Sequence, residues 1–166
     1  MTHRQISLVA IVALIAVAAY FALLPAARAP EVRFKTLTGE SITTSDLRGK
    51  VVLVEFWATS CEICVKEMPK VIQTYNKYKT QGFETIAVAM EYDPPNFVLN
   101  YAQKNALPFK VALDVQGDVA KGFGNVLFTP TSFLIDKRGN IVKQYVGAPD
   151  VAQFQILLEA KLKEAV

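Results

Sequence analysis

Read from its N terminus, the chain opens on ISLVAIVALIAVAAYFALL, residues 6–24, a run of 19 residues with no charge and no helix breaker, preceded by Arg4 and closed by Pro25. As a helix that run is about 28 Å long, close to the hydrocarbon thickness of a bilayer. Beyond it the pattern changes to short apolar runs that alternate with amphipathic stretches. Residues 32–37 predict a first strand and Thr38-Gly39-Glu40 a turn. The segment VVLVEFW, residues 51–57, is apolar except for Glu55, the pattern of a central strand buried on both faces. Val65, Met68, Ile72 and Tyr75 recur at helical spacing, which predicts a helix over 61–80 that stops before Gly82. On that helix Tyr75, Lys77 and Tyr78 read as ordinary surface.

A second buried strand is expected over 84–90, followed by a stiff Pro94-Pro95 link, a short amphipathic helix over 96–105 and a strand over 110–113. A helical turn over 119–123 comes next. Residues 132–135 and 141–146 flank Asp136-Lys137-Arg138-Gly139-Asn140 and read as a β-hairpin. Asp150 can cap a last helix with Val151, Phe154, Leu157, Leu158 and Leu162 in one stripe. Strand, helix and strand followed by a hairpin and a helix imply an α/β fold: a mixed sheet with helices on both faces. No internal repeat or second boundary interrupts it, so the expected organisation is an anchor and linker over residues 1–30 and one domain over 31–166.

Two readings of the N-terminal run stay open. An uncleaved anchor suits its length. Ala27-Arg28-Ala29 is an A-x-A-like triplet of the kind that ends a signal peptide, although the run exceeds the usual 7 to 15 residues and Pro30 would adjoin the cut. Arg4 precedes the run while Arg28, Arg33 and Lys35 follow it, so flanking charge does not orient it.

Composition narrows the chemistry. The 166 residues are 52% hydrophobic and 20% charged, as in a folded protein. The net charge of +3 leaves 16 basic against 15 acidic side chains over residues 31–166, which excludes a basic footprint for nucleic acid. Two cysteines exclude a disulfide-rich scaffold and a four-thiolate metal site, and the one histidine, His3, lies ahead of the apolar run. No metal and no organic cofactor are expected.

Cys61 and Cys64 stand at i and i+3 where the 51–57 strand gives way to the 61–80 helix. On a helix that spacing puts the two side chains on one face, near enough to close a disulfide. The N-terminal N–H groups and dipole would stabilise a Cys61 thiolate and make it nucleophilic. A structural disulfide that encloses two residues would restrain the unfolded chain little. Zinc or copper binding lacks the further ligands it needs. Redox chemistry is the expected use of the pair.

These residues carry a resemblance. Val54-Glu55-Phe56-Trp57-Ala58-Thr59-Ser60-Cys61-Glu62-Ile63-Cys64, then Glu67-Met68-Pro69, then Phe128-Thr129-Pro130-Thr131-Ser132-Phe133-Leu134-Ile135-Asp136 resemble the redox motif, the following helix and the cis-proline loop of the thioredoxin superfamily. The closer likeness is to its membrane-anchored TlpA/ResA-like thiol-disulfide oxidoreductases of bacteria, over about residues 32–164. The resemblance implies a thioredoxin-like mixed sheet with an N-terminal β extension, an inserted helix and strand, and one N-terminal transmembrane helix. It implies that Cys61 attacks, that Cys64 resolves, that Pro130 is the cis-proline and that Thr129 presents backbone to a substrate chain, with Trp57 beside it as a substrate-binding residue; on the residues alone Trp57 and Phe56 read as core and site wall. It further implies a single-pass inner-membrane protein whose domain faces the periplasm or cell exterior, anchored in lipid through residues 6–24 and recharged by a membrane electron donor. Its substrates would be disulfide-bearing proteins such as apocytochrome c or copper-site proteins.

Glu55 lies six residues before Cys61, where thioredoxins hold a buried acid. In an apolar strand its pKa would rise, suiting it to exchange a proton with Cys64. Ile63 and Ser60 depart from the proline and tryptophan common at those positions. Glu62, beside Cys61, resembles the acid of some anchored reductases: a negative charge there opposes the thiolate and favours electron donation, whereas as a solvated acid of the first helical turn it would only stabilise the helix dipole. A protein-disulfide reductase is therefore expected, against the alternatives of a disulfide oxidase or isomerase, a peroxide-reducing relative, or a non-enzymatic metal-chaperone module.

Overall fold

The computed structural model describes residues 27–166. The run at 6–24 and most of the expected anchor segment lie outside them, and among the described residues no helix is long and apolar enough to cross a membrane. Seven strands and four helices follow: β1 (Arg33–Lys35), β2 (Ser41–Thr43), β3 (Val51–Trp57), α1 (Glu62–Tyr78), β4 (Phe83–Ala89), α2 (Pro95–Lys104), β5 (Lys110–Leu113), α3 (Asp118–Gly122), β6 (Thr131–Ile135), β7 (Ile141–Val146) and α4 (Val151–Lys163). The main sheet has the order β5-β4-β3-β6-β7. Strand β3 is its middle, parallel to β4 and antiparallel to β6. Every residue of β3 is buried, as its unbroken apolar run requires of a strand covered on both sides.

Side chains alternate across β3, so one apolar run serves two cores. Val52, Val54 and Phe56 pack with Phe34 of β1, with Val119 and Ala120 of α3, and with Phe123 and Phe133. Val51 and Leu53 pack on the other face with Tyr78 of α1 and Phe154, Leu158 and Leu162 of α4. Trp57 continues that face among Cys64 and Met68 of α1 and Val98 of α2. Each large side chain fully withdrawn from water here contributes about 1.5 to 3 kcal/mol, so the sheet's middle strand is the structural centre of gravity of the fold. Tyr78 departs from the surface role expected of it. It is 2% exposed, and its hydroxyl donates to Glu159 of α4. The helix turns this residue toward the second helix on the same face, which local periodicity does not reveal.

The N-terminal β extension is a two-stranded hairpin of β1 and β2. Its outgoing turn bonds to β5, Leu37 N–H to the Val111 carbonyl at 2.9 Å, and so covers an otherwise open sheet edge. Before it, Ala29 N–H donates to the Gly139 carbonyl at 2.9 Å and Ile141 N–H to the Ala27 carbonyl at 2.7 Å. The chain therefore joins the domain at the β6–β7 turn. Helix α2 starts with Pro94 as N-cap and Pro95 in its first turn, positions where a missing N–H costs nothing. Asp150 caps α4 as its spacing predicted, its carboxylate accepting the Gln153 N–H at 2.8 Å.

Candidate active site

Three connections meet at the C-terminal end of β3: the Ala58–Cys61 turn, the Met90–Pro94 loop after β4 and the loop before β6. The turn is closed by Cys61 N–H donating to the Ala58 carbonyl at 3.1 Å. It delivers Cys61 as the N-cap of α1, with extended backbone and its sulfur accepting the Cys64 N–H at 3.2 Å. Cys61 and Cys64 are joined in a disulfide, their Cα atoms 5.2 Å apart. The two sulfurs are not equivalent. Cys61 is half-buried and reachable, whereas Cys64 has no exposed surface and packs among Trp57, Met68 and Ala87. A helix N-terminus stabilises negative charge on a capping sulfur, so reduction of the pair leaves the reachable sulfur as the one that ionises.

Glu55 projects from β3 on the same face as α1 and has 4% of its surface exposed. Its Oε2 has no protein hydrogen-bond partner among the described residues. Burial, and secondarily the carboxylate of Glu67 on α1, push its pKa up to about 7. Both acids line a crevice of about 40 Å³ shared with Lys70, Pro130 and Ser132. That volume is large enough for a water molecule. In the sequence Glu67 stands out only as part of the Glu67-Met68-Pro69 helix motif and not as a site residue. It is the residue three places after Cys64, hence on the same helical face, and it pairs with Lys70 at 2.8 Å.

Glu62 sits exposed in the first turn of α1, beside the disulfide and with its charge in solvent. The bond between Thr129 and Pro130 is cis, and Pro130 is buried. Because Phe56 pairs with Thr131, and Glu55 with Ser132, Pro130 lies at the same end of the sheet as the cysteines. The Pro130 carbonyl is taken by Gly147 N–H at 2.7 Å, while the backbone of Thr129 has no backbone partner among the described residues. Trp57 lies in the core as its apolar setting predicted, packs on Tyr101 with ring centroids 5.1 Å apart and forms the floor of the site; with no exposed surface it does not offer the substrate contact also expected of it. The apolar surface around the disulfide comes instead from Ile63, Tyr92, Leu127 and Phe128, each more than half exposed.

A Redoxin family profile matches residues 24–158. Thiol-disulfide oxidoreductase ResA of Bacillus thuringiensis subsp. konkukian is 37% identical over 131 residues, 79% of this chain and 75% of that protein. ResA of Geobacillus kaustophilus is 38% identical over 119 residues, 72% of this chain and 67% of that protein. Among solved structures, a thiol:disulfide interchange protein of the thioredoxin family from Chlorobium tepidum superposes with a TM-score of 0.75 at 26% identity, covering 83% of this chain and 97% of that one.

Proposed function

The chain belongs to the Redoxin family of the thioredoxin superfamily and is a TlpA/ResA-like thiol-disulfide oxidoreductase, and from that premise we propose that it is a membrane-tethered, periplasm-facing reductase of protein disulfides. The observation that carries the reading is the asymmetry of the pair: a reachable Cys61 at a helix N-terminus and a sealed Cys64 that packs in one cluster with Ala87, the cross-strand neighbour of Glu55. In the reduced enzyme the Cys61 thiolate attacks one sulfur of a substrate disulfide. A mixed disulfide forms and the other substrate sulfur leaves as a thiolate, which takes a proton from water. Cys64 then gives its proton to ionised Glu55 and attacks the Cys61 sulfur. The Cys61–Cys64 disulfide forms, the second substrate sulfur leaves as a thiolate that takes a proton from water, Glu55 returns the Cys64 proton to solvent, and two electrons have passed to the substrate.

The half-buried Thr129, whose backbone has no backbone partner among the described residues, offers pairing to an extended substrate strand, and the apolar rim favours segments with hydrophobic residues near their cysteines. Apocytochrome c and copper-site proteins whose thiols await a heme or a metal are the substrates this reading fits. The single apolar run at 6–24 supplies the tether, and a membrane donor supplies the electrons, since glutathione and thioredoxin do not serve the periplasm. Glu62 beside Cys61 favours the reducing direction.

The test is trapping. Cys64→Ser removes the resolving thiol, so substrates remain covalently bound to Cys61 and are identified by mass spectrometry, while a glutathione redox titration of the parent sets the direction. Capture of disulfide-bearing extracytoplasmic proteins with a potential near that of thioredoxin supports the proposal. A strongly oxidising potential, near that of DsbA, overturns the reductase reading and leaves a disulfide oxidase.

A further inference from the structure

The loop between β4 and α2 carries an acid that the exchange steps above do not use. Asp93 is 4% exposed, and its two oxygens accept from one residue: Oδ2 from the Thr59 N–H at 2.6 Å and Oδ1 from the Thr59 hydroxyl at 2.6 Å. No lysine or arginine pairs with it among the described residues. A carboxylate withdrawn from water without a cation is costly unless its hydrogen bonds are short and well aimed, and an Asn or Ser would supply an acceptor at less cost. The two contacts grip Thr59 at backbone and side chain together, as charge-assisted bonds of this length do most firmly.

Thr59 is the second residue of the Ala58–Cys61 turn, whose closing bond places Cys61 at the cap of α1. Asp93 itself has little freedom. Its N–H donates to the Met90 carbonyl at 2.9 Å, Met90 N–H donates to the Trp57 carbonyl at 3.0 Å, and Pro94 restricts the backbone of the residue before it. The same loop reaches the other wall of the site, where the Tyr92 hydroxyl lies 3.2 Å from Thr129 Oγ1. The loop is thus a strap across both walls, rigid at its Pro94-Pro95 end.

We propose that Asp93 is a positioning residue for thiol-disulfide exchange: through Thr59 it holds the turn that keeps the Cys61 sulfur on the N-terminal amides of α1. In the oxidised protein the disulfide itself tethers Cys61. In the reduced protein that tether is gone and the turn alone fixes the sulfur, so the contact matters most in the state that attacks. The inference rests on the exchange chemistry of the family and not on the direction, the substrate or the membrane placement proposed above.

The test uses iodoacetamide on the fully reduced protein, which needs no protein substrate and reads the Cys61 thiolate directly. Asp93→Ala and Thr59→Val should each slow alkylation of Cys61 at least fivefold at pH 7 and move its pH–rate profile to higher pH. Asp93→Asn, which keeps an acceptor for the Thr59 N–H, and Thr59→Ser, which keeps the hydroxyl, should return the rate to within about twofold of the parent. Glu62, Glu55 and Glu67 are unchanged in all four proteins, so the comparison isolates the Thr59 contact. A role confined to stability would lower Tm and leave the alkylation profile of the folded protein where it was. If Asp93→Ala does not fold, the Thr59 pair decides. A parental profile in every folded variant, or a slowing that neither conservative variant relieves, overturns the assignment, and the Cys64→Ser trapping result stands whichever way this one falls.

Discussion

Replacing Glu55 by glutamine removes a charge that the fold is strained to hold. The carboxyl titrates at about 7 in the folded protein against 4.5 as the ordinary value, because it is buried and faces a second acid. The raised value fixes the sign. Between the two pKa values the folded state holds a proton that the unfolded state has released, so stability is intact below pH 4.5 and is lost as pH rises toward 7. Integrating that proton difference from pH 5 to pH 8 gives a loss of about 2 to 3 kcal/mol. In Glu55→Gln the loss disappears, so the stability of the variant relative to the parent should rise by about that amount across the interval. The assay is urea unfolding of the oxidised proteins, in which neither cysteine titrates, at pH 5, 6, 7 and 8. With m-values of about 1 to 3 kcal/mol/M the midpoints should separate by on the order of 1 M at pH 8 beyond any offset at pH 5. Asp46, Asp136 and Glu159 have lowered pKa values and act below this window. Parallel stability curves for the two proteins would refute the claim that Glu55 is the buried proton holder.

Glu67→Gln removes the smaller of the two causes that raise Glu55 while burial persists, so the upper end of the same stability loss should move to lower pH without vanishing; the same unfolding series reads it, and an unmoved curve shows that the two acids do not feel each other. Glu62→Gln takes a solvent-exposed charge from beside Cys61 and, by screened Coulomb attraction and repulsion, should raise the reduction potential by about 10 to 20 mV, measured by glutathione equilibrium. A shift of the opposite sign would show that the charge acts on the helix dipole and not on the thiolate.

Much of the fold was legible because its strongest signals are local. The apolar run at 51–57 coincides with β3, the spacing of Asp150 and its stripe with α4, and the polar loop at 136–140 with the β6–β7 turn. The Cys61–Cys64 spacing and the strand-to-helix junction were equally local, and Glu55 was legible as an acid where a buried strand tolerates none. What the sequence did not disclose depends on pairs far apart along it. Tyr78 is buried because α4 supplies Glu159, 81 residues on, and a second packing face. Trp57 is sealed because Tyr101 of α2 covers it. Glu67 becomes part of the site through a crevice closed by Pro130 and Ser132. Asp93 grips Thr59 across 34 residues. In each case residue type and spacing gave the element, and only the sheet order gave the neighbour.

Sheet order also fixes where the exchange site points. The disulfide follows Trp57, at the end of β3 that pairs with the start of β6, whereas residues 27–29 are pinned to the turn that follows the end of β6. Seven residues of β3 separate the two poles, about 20 Å at the rise of a strand. A tether entering through residues 27–29, as proposed above, therefore joins the domain at the pole opposite Cys61. The proposed recharging by a membrane donor then requires that donor to carry a thiol-bearing segment of its own to the far pole, a demand that a soluble disulfide-bearing substrate does not face.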